Sequence, residues 1–565
     1  MRLVHSQQHG TIRSDAHSHH AHTISQRRTL CRGVWRPMTN SPSMHNPAPN
    51  GADTASMARE GMRVVVGENE DGVVFELPSA AHADVAWMHN EHLPGAATPL
   101  EISIRDVRVR TLPDGFPDSI MVNGYGYGRG QITNAGAGPF DPSIVANWRA
   151  ARMPAVDAVI AEYEAFDPAS IAPGDWRTAL AEPDVRFWLA FGGVHRDTVG
   201  QVLPAAARWL DLYAERFGDD SRDDALAMLA GFANESGRRT SALWNLSRIA
   251  ATDSSVLDAV ASGIVSTGDT AAAAAFRTGF QTLLEQFGST TIMHLMDLPT
   301  WREDPAVPLS MIAAMAGTEP GGDPLVLEAH AIERRHVLEA ELKRLEADGD
   351  PALPALREVL AVAQYLAPAS EDHNLLCDQR MIAAARGRFL RVGAVLTARG
   401  LAAAGDVFYL TFDELVDWLE ESRTVPAEVI AQRRTELARW RTVSPPTRLG
   451  AQSAVVPDAV VLRGTAGSAG VYRGRARVLA SLEDAGSLEI GDVLVCPATA
   501  PEWTPYFSVI GALVSDVGGV LTHAAVVARE FGIPAVVGAA GATAVIPDGA
   551  FVTVDGSRGL VTVER

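Results

Sequence analysis

Cysteine is scarce in this chain: Cys31, Cys377 and Cys496 stand far apart in 565 residues, with no Cys-x-x-Cys pair. That excludes a disulfide framework and a cysteine-built zinc site, and it points to a reducing, cytoplasmic compartment. Basic residues are outnumbered, 48 Lys and Arg against 68 Asp and Glu, for a formal charge of −20. A nucleic-acid surface needs clustered cations to neutralise phosphates, so no nucleic-acid partner is expected. Long apolar runs are missing as well. Without a stretch of about eighteen such residues, no membrane-spanning helix is expected. Nor is there a Gly-rich phosphate loop of the usual kind. The one glycine-rich stretch, Asn123-Gly124-Tyr125-Gly126-Tyr127-Gly128-Arg129-Gly130, neither follows a clear strand nor leads into a helix, and it reads as a loop.

What is present suits two or three domains, since 565 residues exceed one core and 47% are apolar. Residues 1–57 differ from the rest, with seven of sixteen histidines, six arginines and only two acids. They read as a disordered tail, or as translation upstream of the true start. Its cluster His17-Ser18-His19-His20-Ala21-His22 could bind a transition metal; His89, Glu91 and His92 also offer ligand atoms, but surface hydrogen bonding is their expected role, and no metal site is expected in the folded part. From 58 to 442 short strands give way to helices: Leu325, Ala329, Ile332 and then Leu338, Leu342, Leu345 recur at i, i+4, i+7. Residues 443–460 hold three prolines without periodicity and read as a hinge linker. A second domain, of α/β composition, fills 461–565.

Within that domain one stretch reads as strand, glycine turn, helix, turn and strand. The run Ala512-Leu513-Val514 ends at Asp516, and Gly518-Gly519 permits a backbone path that a Cβ would resist. Thr522 stands where an N-cap belongs, which places His523 in the first helical turn. Gly532 and Pro534 stop the helix. The positive end of the helix dipole would favour an anion on the ring and disfavour imidazolium, leaving a nitrogen free to attack phosphorus.

Gly518-Gly519, Thr522-His523-Ala524-Ala525, Ala528-Arg529-Glu530 and Gly532 through Gly538 together resemble the swivelling phosphohistidine domain of phosphoenolpyruvate-utilising enzymes. Gly464 to Val478 is similar to the entry of that domain, and Ala500-Pro501-Glu502-Trp503-Thr504-Pro505-Tyr506-Phe507 to its Trp-Thr-Pro loop. Earlier stretches resemble the acceptor-binding region of rifampin phosphotransferase and of phenylphosphate synthase. They are Gly231 to Glu235 with Ala242-Leu243-Trp244, Phe287-Gly288 leading to Pro299 through Pro305, Ser370 to Asn374 with Asp378-Gln379, and Gly405 to Leu415. One departure stands out: Ser289-Thr290-Thr291-Ile292-Met293-His294 replaces an Arg and a Gly-Glu pair frequent in relatives.

The resemblance implies a mainly α-helical acceptor domain followed by an α/β swivelling domain. It makes His523 the phosphoryl carrier, with Thr522 and Arg529 beside it and Gly518 and Gly519 near the transferred group. His373 is the first candidate to take the acceptor proton and His294 the second. Trp301, Arg302, Asn374 and Arg380 are expected to hold the acceptor, and Arg388 is a further cation of interest. Because an ATP-grasp domain is missing from the matched pattern, ATP and Mg²⁺ are expected on a separate nucleotide-binding subunit. The acceptor would be a small alcohol or phenol. Two other readings stay open: a non-catalytic phosphocarrier or regulatory subunit, and a metal-handling protein built on the histidine tail.

Overall fold

Leucine- and alanine-rich periodic sequence between residues 148 and 442 forms an array of helices, and valine-rich sequence after 460 forms a sheet, in the computed structural model of the chain. The structure describes residues 65–68, 74–78, 82, 85–89, 95–111, 119–129, 148–195, 198, 200–218, 221–291, 294–317, 323–443, 445–446, 448–450, 461–480, 482–499, 501–520 and 522–563. The chain divides into Met1–Met62 and Arg63–Arg565, and every described residue belongs to the second unit. The tail with its histidine cluster, His92 and positions 451–460 of the expected hinge lie outside the described residues.

At the start, β1 (Val65–Glu68) pairs with β2 (Val74–Glu76). Strands β3 (Ala86–His89), β4 (Ser119–Val122), β5 (Tyr125–Arg129) and β6 (Arg448–Gly450) make a four-stranded sheet in the order β4-β5-β3-β6. Two expectations change here. The glycine-rich stretch is the turn and second strand of a hairpin, not a loop. Asn123 and Gly124 take φ of 53° and 88°, as a tight two-residue hairpin turn requires, and Ile120, Val122, Tyr125 and Tyr127 fill the core beneath it. The first part of the expected linker is also tied down. Tyr125 and Tyr127 donate their hydroxyls to the carbonyls of Val443 (2.7 Å) and Pro446 (3.1 Å), and residues 448–450 pair with β3.

The helices are α1 (Pro99–Thr111), α2 (Trp148–Glu164), α3 (Trp176–Val194), α4 (Gly200–Phe217), α5 (Arg222–Ala227), α6 (Glu235–Ala251), α7 (Ser254–Ala261), α8 (Ala271–Phe287), α9 (Ala306–Ala316), α10 (Pro324–Ala347), α11 (Leu353–Leu366), α12 (Ala369–His373), α13 (Arg380–Thr397), α14 (Phe412–Leu419) and α15 (Ala427–Arg441). On α10 the expected stripe is half used: Leu342 is buried, with Leu338 and Leu345 beside it, whereas Leu325 is exposed. Among the described residues no helix is long and apolar enough to cross a membrane.

The C-terminal sheet runs β7-β14-β13-β9-β10-β11-β12-β8, from β7 (Val461–Arg463), β8 (Thr465–Ser468), β9 (Val471–Val478), β10 (Val493–Cys496), β11 (Ala512–Ser515), β12 (Ala535–Val537), β13 (Phe551–Asp555) and β14 (Leu560–Val563). Strands β9 to β12 are parallel, and β10, β11 and β12 are buried along their whole length, as parallel strands covered on both faces are. Helix α16 (His523–Phe531) covers one face, and α17 (Ala542–Val545) packs at the other. One apolar cluster runs from Trp244, Phe276, Met311 and Leu375 of the helical region to Trp503, Tyr506, Phe507, Ala524 and Phe531 of the sheet domain. The two regions are therefore packed together, with α16 at their junction.

Gly518 takes φ of 138°, and a Cβ there would stand 3.1 Å from Thr522 Oγ1 and from Val537 Cβ. Gly519 has open space where a Cβ would be, so only the first glycine of the pair is required by the backbone. Gly518→Ala should cost about 1–3 kcal/mol, while Gly519→Ala should stay within about 0.5 kcal/mol. Paired denaturant titrations check this, and equal losses would contradict it.

Candidate active site

The turn after β11 delivers His523 to the first position of α16, where helix N–H groups and the positive dipole end converge. Thr522 occupies the cap position with extended backbone, but its hydroxyl does not make the expected capping bond. It donates instead to the Gly519 carbonyl at 2.9 Å, closing the glycine turn on itself. Gly532, at φ of 66°, ends the helix as expected.

Both ring nitrogens of His523 have partners. Nδ1 lies 2.9 and 3.0 Å from the two carboxylate oxygens of Glu371, on α12 of the helical region. Nε2 lies 3.3 Å from Thr504 Oγ1, in the 3₁₀ segment Pro501–Ser508. Phe507 meets the ring edge-on at 6.0 Å. Burial pushes the Glu371 carboxyl up, but the His523 ring, the Ser236 hydroxyl and His373 outweigh this and hold it below the ordinary carboxylate value. An ionised carboxylate only accepts, so Nδ1 carries the hydrogen and Nε2 holds the lone pair. This is the nucleophilic tautomer, fixed by a side chain of the neighbouring region.

A second polar tie joins α16 to the helical region, at the start of α6. Asn234, the cap of α6, accepts from Gly237 N at 2.7 Å and donates through Nδ2 to Glu530 Oε1 at 2.8 Å. Burial and the nearby Glu371 charge push the Glu530 carboxyl up to about 8. Its neighbour Arg529, lowered by burial to about 10, donates to the Gly467 carbonyl at 2.6 Å. Arg529 thus pins α16 to the β8 edge, a correction to its expected place beside the transferred group.

Beyond Glu371, α12 passes into a π-helical turn, Asn374–Gln379. Such turns recur at functional sites because the wider winding regroups side chains. Gln379 Oε1 accepts from Thr291 N (2.6 Å) and Thr291 Oγ1 (2.8 Å), which turns its amide nitrogen toward His294 Nε2 at 3.1 Å. Asn374 Nδ2 lies 2.9 Å from the same nitrogen. The His294 lone pair is therefore engaged by two amides, in a residue held at φ of 53°. His294 positions Asn374 and Gln379, which departs from its expected use as a base. His373 is buried, with Nδ1 2.8 Å from the Ala369 carbonyl and Nε2 facing Asp378.

Three expected acceptor residues have structural partners instead. Trp301 is buried in the apolar cluster, under the Arg239 guanidinium at 5.5 Å. Arg302 is at the surface and donates to the Leu284 carbonyl at 3.0 Å. Arg380 pairs with Asp157 at 2.9 Å, and buried Arg388 lies between the Tyr163 and Phe166 rings. In a helical array these side chains are held by packing, an ion pair or backbone carbonyls, although Trp301 Nε1 and Arg388 Nε are buried with no hydrogen-bond partner among the described residues. Sequence reasoning did not single out Glu371, Thr504, Asn234, Glu530, Asp378 or His195. Glu371 and Thr504 stand inside stretches that carry the family resemblance, but no local pattern marks which of several adjacent polar side chains turns inward.

Glu530 generates a pH prediction. Its proton is retained in the native chain up to about pH 8, whereas an unfolded glutamate loses it near 4.3. The native state then binds the extra proton, so its stability falls as pH rises from about 4.5 to 8. Glu530→Gln keeps a side-chain oxygen for Asn234 without the charge. It should flatten this fall and raise the melting temperature at pH 8 relative to the parent. Identical pH profiles for the two proteins would contradict the assignment.

Two family models match separate stretches of the chain. Residues 488–559, which include His523, match the family described as PEP-utilising enzyme, mobile domain. Residues 199–371, which end at Glu371, match the rifampicin phosphotransferase fourth domain. Chondramide synthase of Chondromyces crocatus is 30% identical over 561 residues, covering 87% of this chain and 14% of that protein. Rifampicin phosphotransferase of Streptomyces sviceus is 30% identical over 307 residues, 51% of this chain and 34% of its own length. Phosphoenolpyruvate synthase of Aeropyrum pernix is 43% identical over 150 residues, 26% of this chain and 18% of its own. The chain thus spans from 14% to 34% of the length of these relatives. In residues 199–371 and 488–559 the chain is thus similar to rifampicin phosphotransferases and to the mobile domain of phosphoenolpyruvate-utilising enzymes.

Proposed function

We propose that this chain is a phosphotransferase component in which His523 carries a phosphoryl group to a hydroxyl of a small organic acceptor, an alcohol or phenol. The group would come from ATP on a separate ATP-grasp subunit, where Mg²⁺ offsets the phosphate charge. The observation that carries the reading is the contact of His523 Nδ1 with buried, ionised Glu371 across the junction of the two regions.

The chemistry follows from the tautomer. On loading, the Nε2 lone pair attacks phosphorus and the bond to the nucleotide oxygen breaks, leaving a phosphoimidazole with its hydrogen on Nδ1. Docked on Glu371, that hydrogen is held by a charge-assisted bond to the carboxylate. Protonation makes imidazole a neutral leaving group. The P–Nε2 bond then breaks as the acceptor oxygen bonds to phosphorus, the acceptor's hydroxyl proton passes to water, and Nδ1–H stays hydrogen-bonded to Glu371. Glu371 therefore labilises the phosphoramidate at the acceptor site and not where it is loaded. Most of the remaining catalysis is positioning and charge stabilisation.

With the partner and ³²P-ATP labelled at the β or γ position, the chain should gain an acid-labile, alkali-stable label that His523→Ala abolishes. Glu371→Gln should load normally but lose its label to water several-fold more slowly, a readout that needs no identified acceptor. Wild-type labelling of the Ala variant would remove His523 from the role. Unchanged decay in the Gln variant would remove Glu371.

A further inference from the structure

His195, His373 and Asp378 lie together, with His373 two residues after Glu371 and acting on its charge, and their ligating atoms fall within 4.8 Å of one another. They come from two elements. His195 follows the end of α3, while His373 ends α12 and Asp378 sits five residues on, inside the π-helical turn. In an α-helix, residues five apart diverge by roughly 140° around the axis. The wider winding of the π-turn brings His373 and Asp378 toward the same side.

The tautomers of both rings follow from their partners. His195 Nδ1 lies 2.9 Å from the Phe191 carbonyl, and His373 Nδ1 lies 2.8 Å from the Ala369 carbonyl. A carbonyl only accepts, so both protons are on Nδ1 and both Nε2 atoms hold a lone pair in the neutral rings. Metal-bound histidines are oriented in this way, by an outer hydrogen bond from the nitrogen that does not ligate. The two Nε2 atoms stand 3.4 and 3.9 Å from Asp378 Oδ2. Ligand atoms bound at 2.0–2.1 Å around a tetrahedral ion are roughly 3.3–3.4 Å apart, so small side-chain turns close the set. Asp378 Oδ1 is buried with no hydrogen-bond partner among the described residues. That is costly for a carboxylate oxygen with nothing to accept from. The Asp378 side chain is 4% exposed and that of His195 24%, so the group opens to solvent on the His195 side.

We propose that His195, His373 and Asp378 bind a divalent transition-metal ion whose open position takes the acceptor's hydroxyl oxygen. Two imidazole nitrogens and one carboxylate oxygen suit zinc-like ions and leave a coordination position vacant. A ligated hydroxyl becomes more acidic and loses its proton to water near neutral pH. This role for the open position rests on the phosphotransferase reading, whereas metal binding itself does not. His373 then acts as a ligand and not as the base.

The test uses the full chain with His17, His19, His20 and His22 replaced by Asn, which removes the tail as a competing chelator. After dialysis against a chelator, Co²⁺ is titrated while its visible d–d absorption is recorded. One equivalent should bind with intense bands of low coordination number, and adding phenol should shift them. His195→Gln, at a partly exposed position, should abolish the bands while circular dichroism stays native, and Asp378→Asn provides a second variant. An imidazole–carboxylate ion pair only would give no bands in the parent, or bands unchanged in both variants, and would overturn the site. Bands that phenol leaves unmoved would overturn the open position. The phosphotransferase reading fails separately, through wild-type labelling of His523→Ala.

Discussion

The contact on which the rest depends is a carboxylate against an imidazole: Glu371 from the helical region holding Nδ1 of His523 from the sheet domain. Burying a carboxylate costs several kcal/mol unless it is paired, and the Glu371 side chain is only 1% exposed. Its compensation comes from Ser236, His373 and, above all, from His523. The helical region therefore carries an acid whose largest compensation is present only while the histidine is docked. The same contact selects the tautomer of His523, so docking geometry and chemical competence are one constraint.

Around this contact the junction combines two kinds of attachment. Trp503, Tyr506 and Phe507 pack beside helical-region residues in one apolar cluster. Two of its polar ties are His523 to Glu371 and Glu530 to Asn234. In the proposed relay the sheet domain must leave this seat to be loaded, and both polar ties respond to charge. A phosphoryl group on Nε2 changes the charge of the ring that Glu371 faces. A proton on Glu530 sets how much like charge gathers near Glu371. Tyr125 and Tyr127 tie residues 443–446 to the N-terminal sheet, so the chain between that sheet and the sheet domain is shorter than the whole 443–460 stretch.

The parts of this arrangement that are written locally were legible in the sequence. Gly518, the start of α16 at His523 and its end at Gly532 all depend on backbone freedom and capping within a few residues, and such signals survive without a partner. Asn123-Gly124 was equally local, but Gly126 and Gly128 hid the alternation of Tyr125 and Tyr127 that marks the strand. Glu371 was not legible as the key acid. Glu371, Asp372, His373 and Asn374 are four consecutive polar residues, all buried, and their separate partners come from α16, α6, Asp378 and His294. Only the tertiary structure distributes those roles. The same holds for Trp301, Arg302 and Arg380, whose type suggests ligand binding and whose surroundings supply packing or ion pairs.

The most direct measurement of the central claim is long-range ¹H–¹⁵N spectroscopy of the full chain labelled at histidine nitrogens, before and after reaction with potassium phosphoramidate as a small phosphoryl donor. Before reaction, His523 should show a protonated Nδ1 and a lone-pair Nε2. Afterwards its Nε2 should show coupling to ³¹P, with the proton still on Nδ1 near neutral pH. A His523 ring protonated on Nε2 at the outset, or phosphorus attached to Nδ1 or to another histidine, would contradict the account.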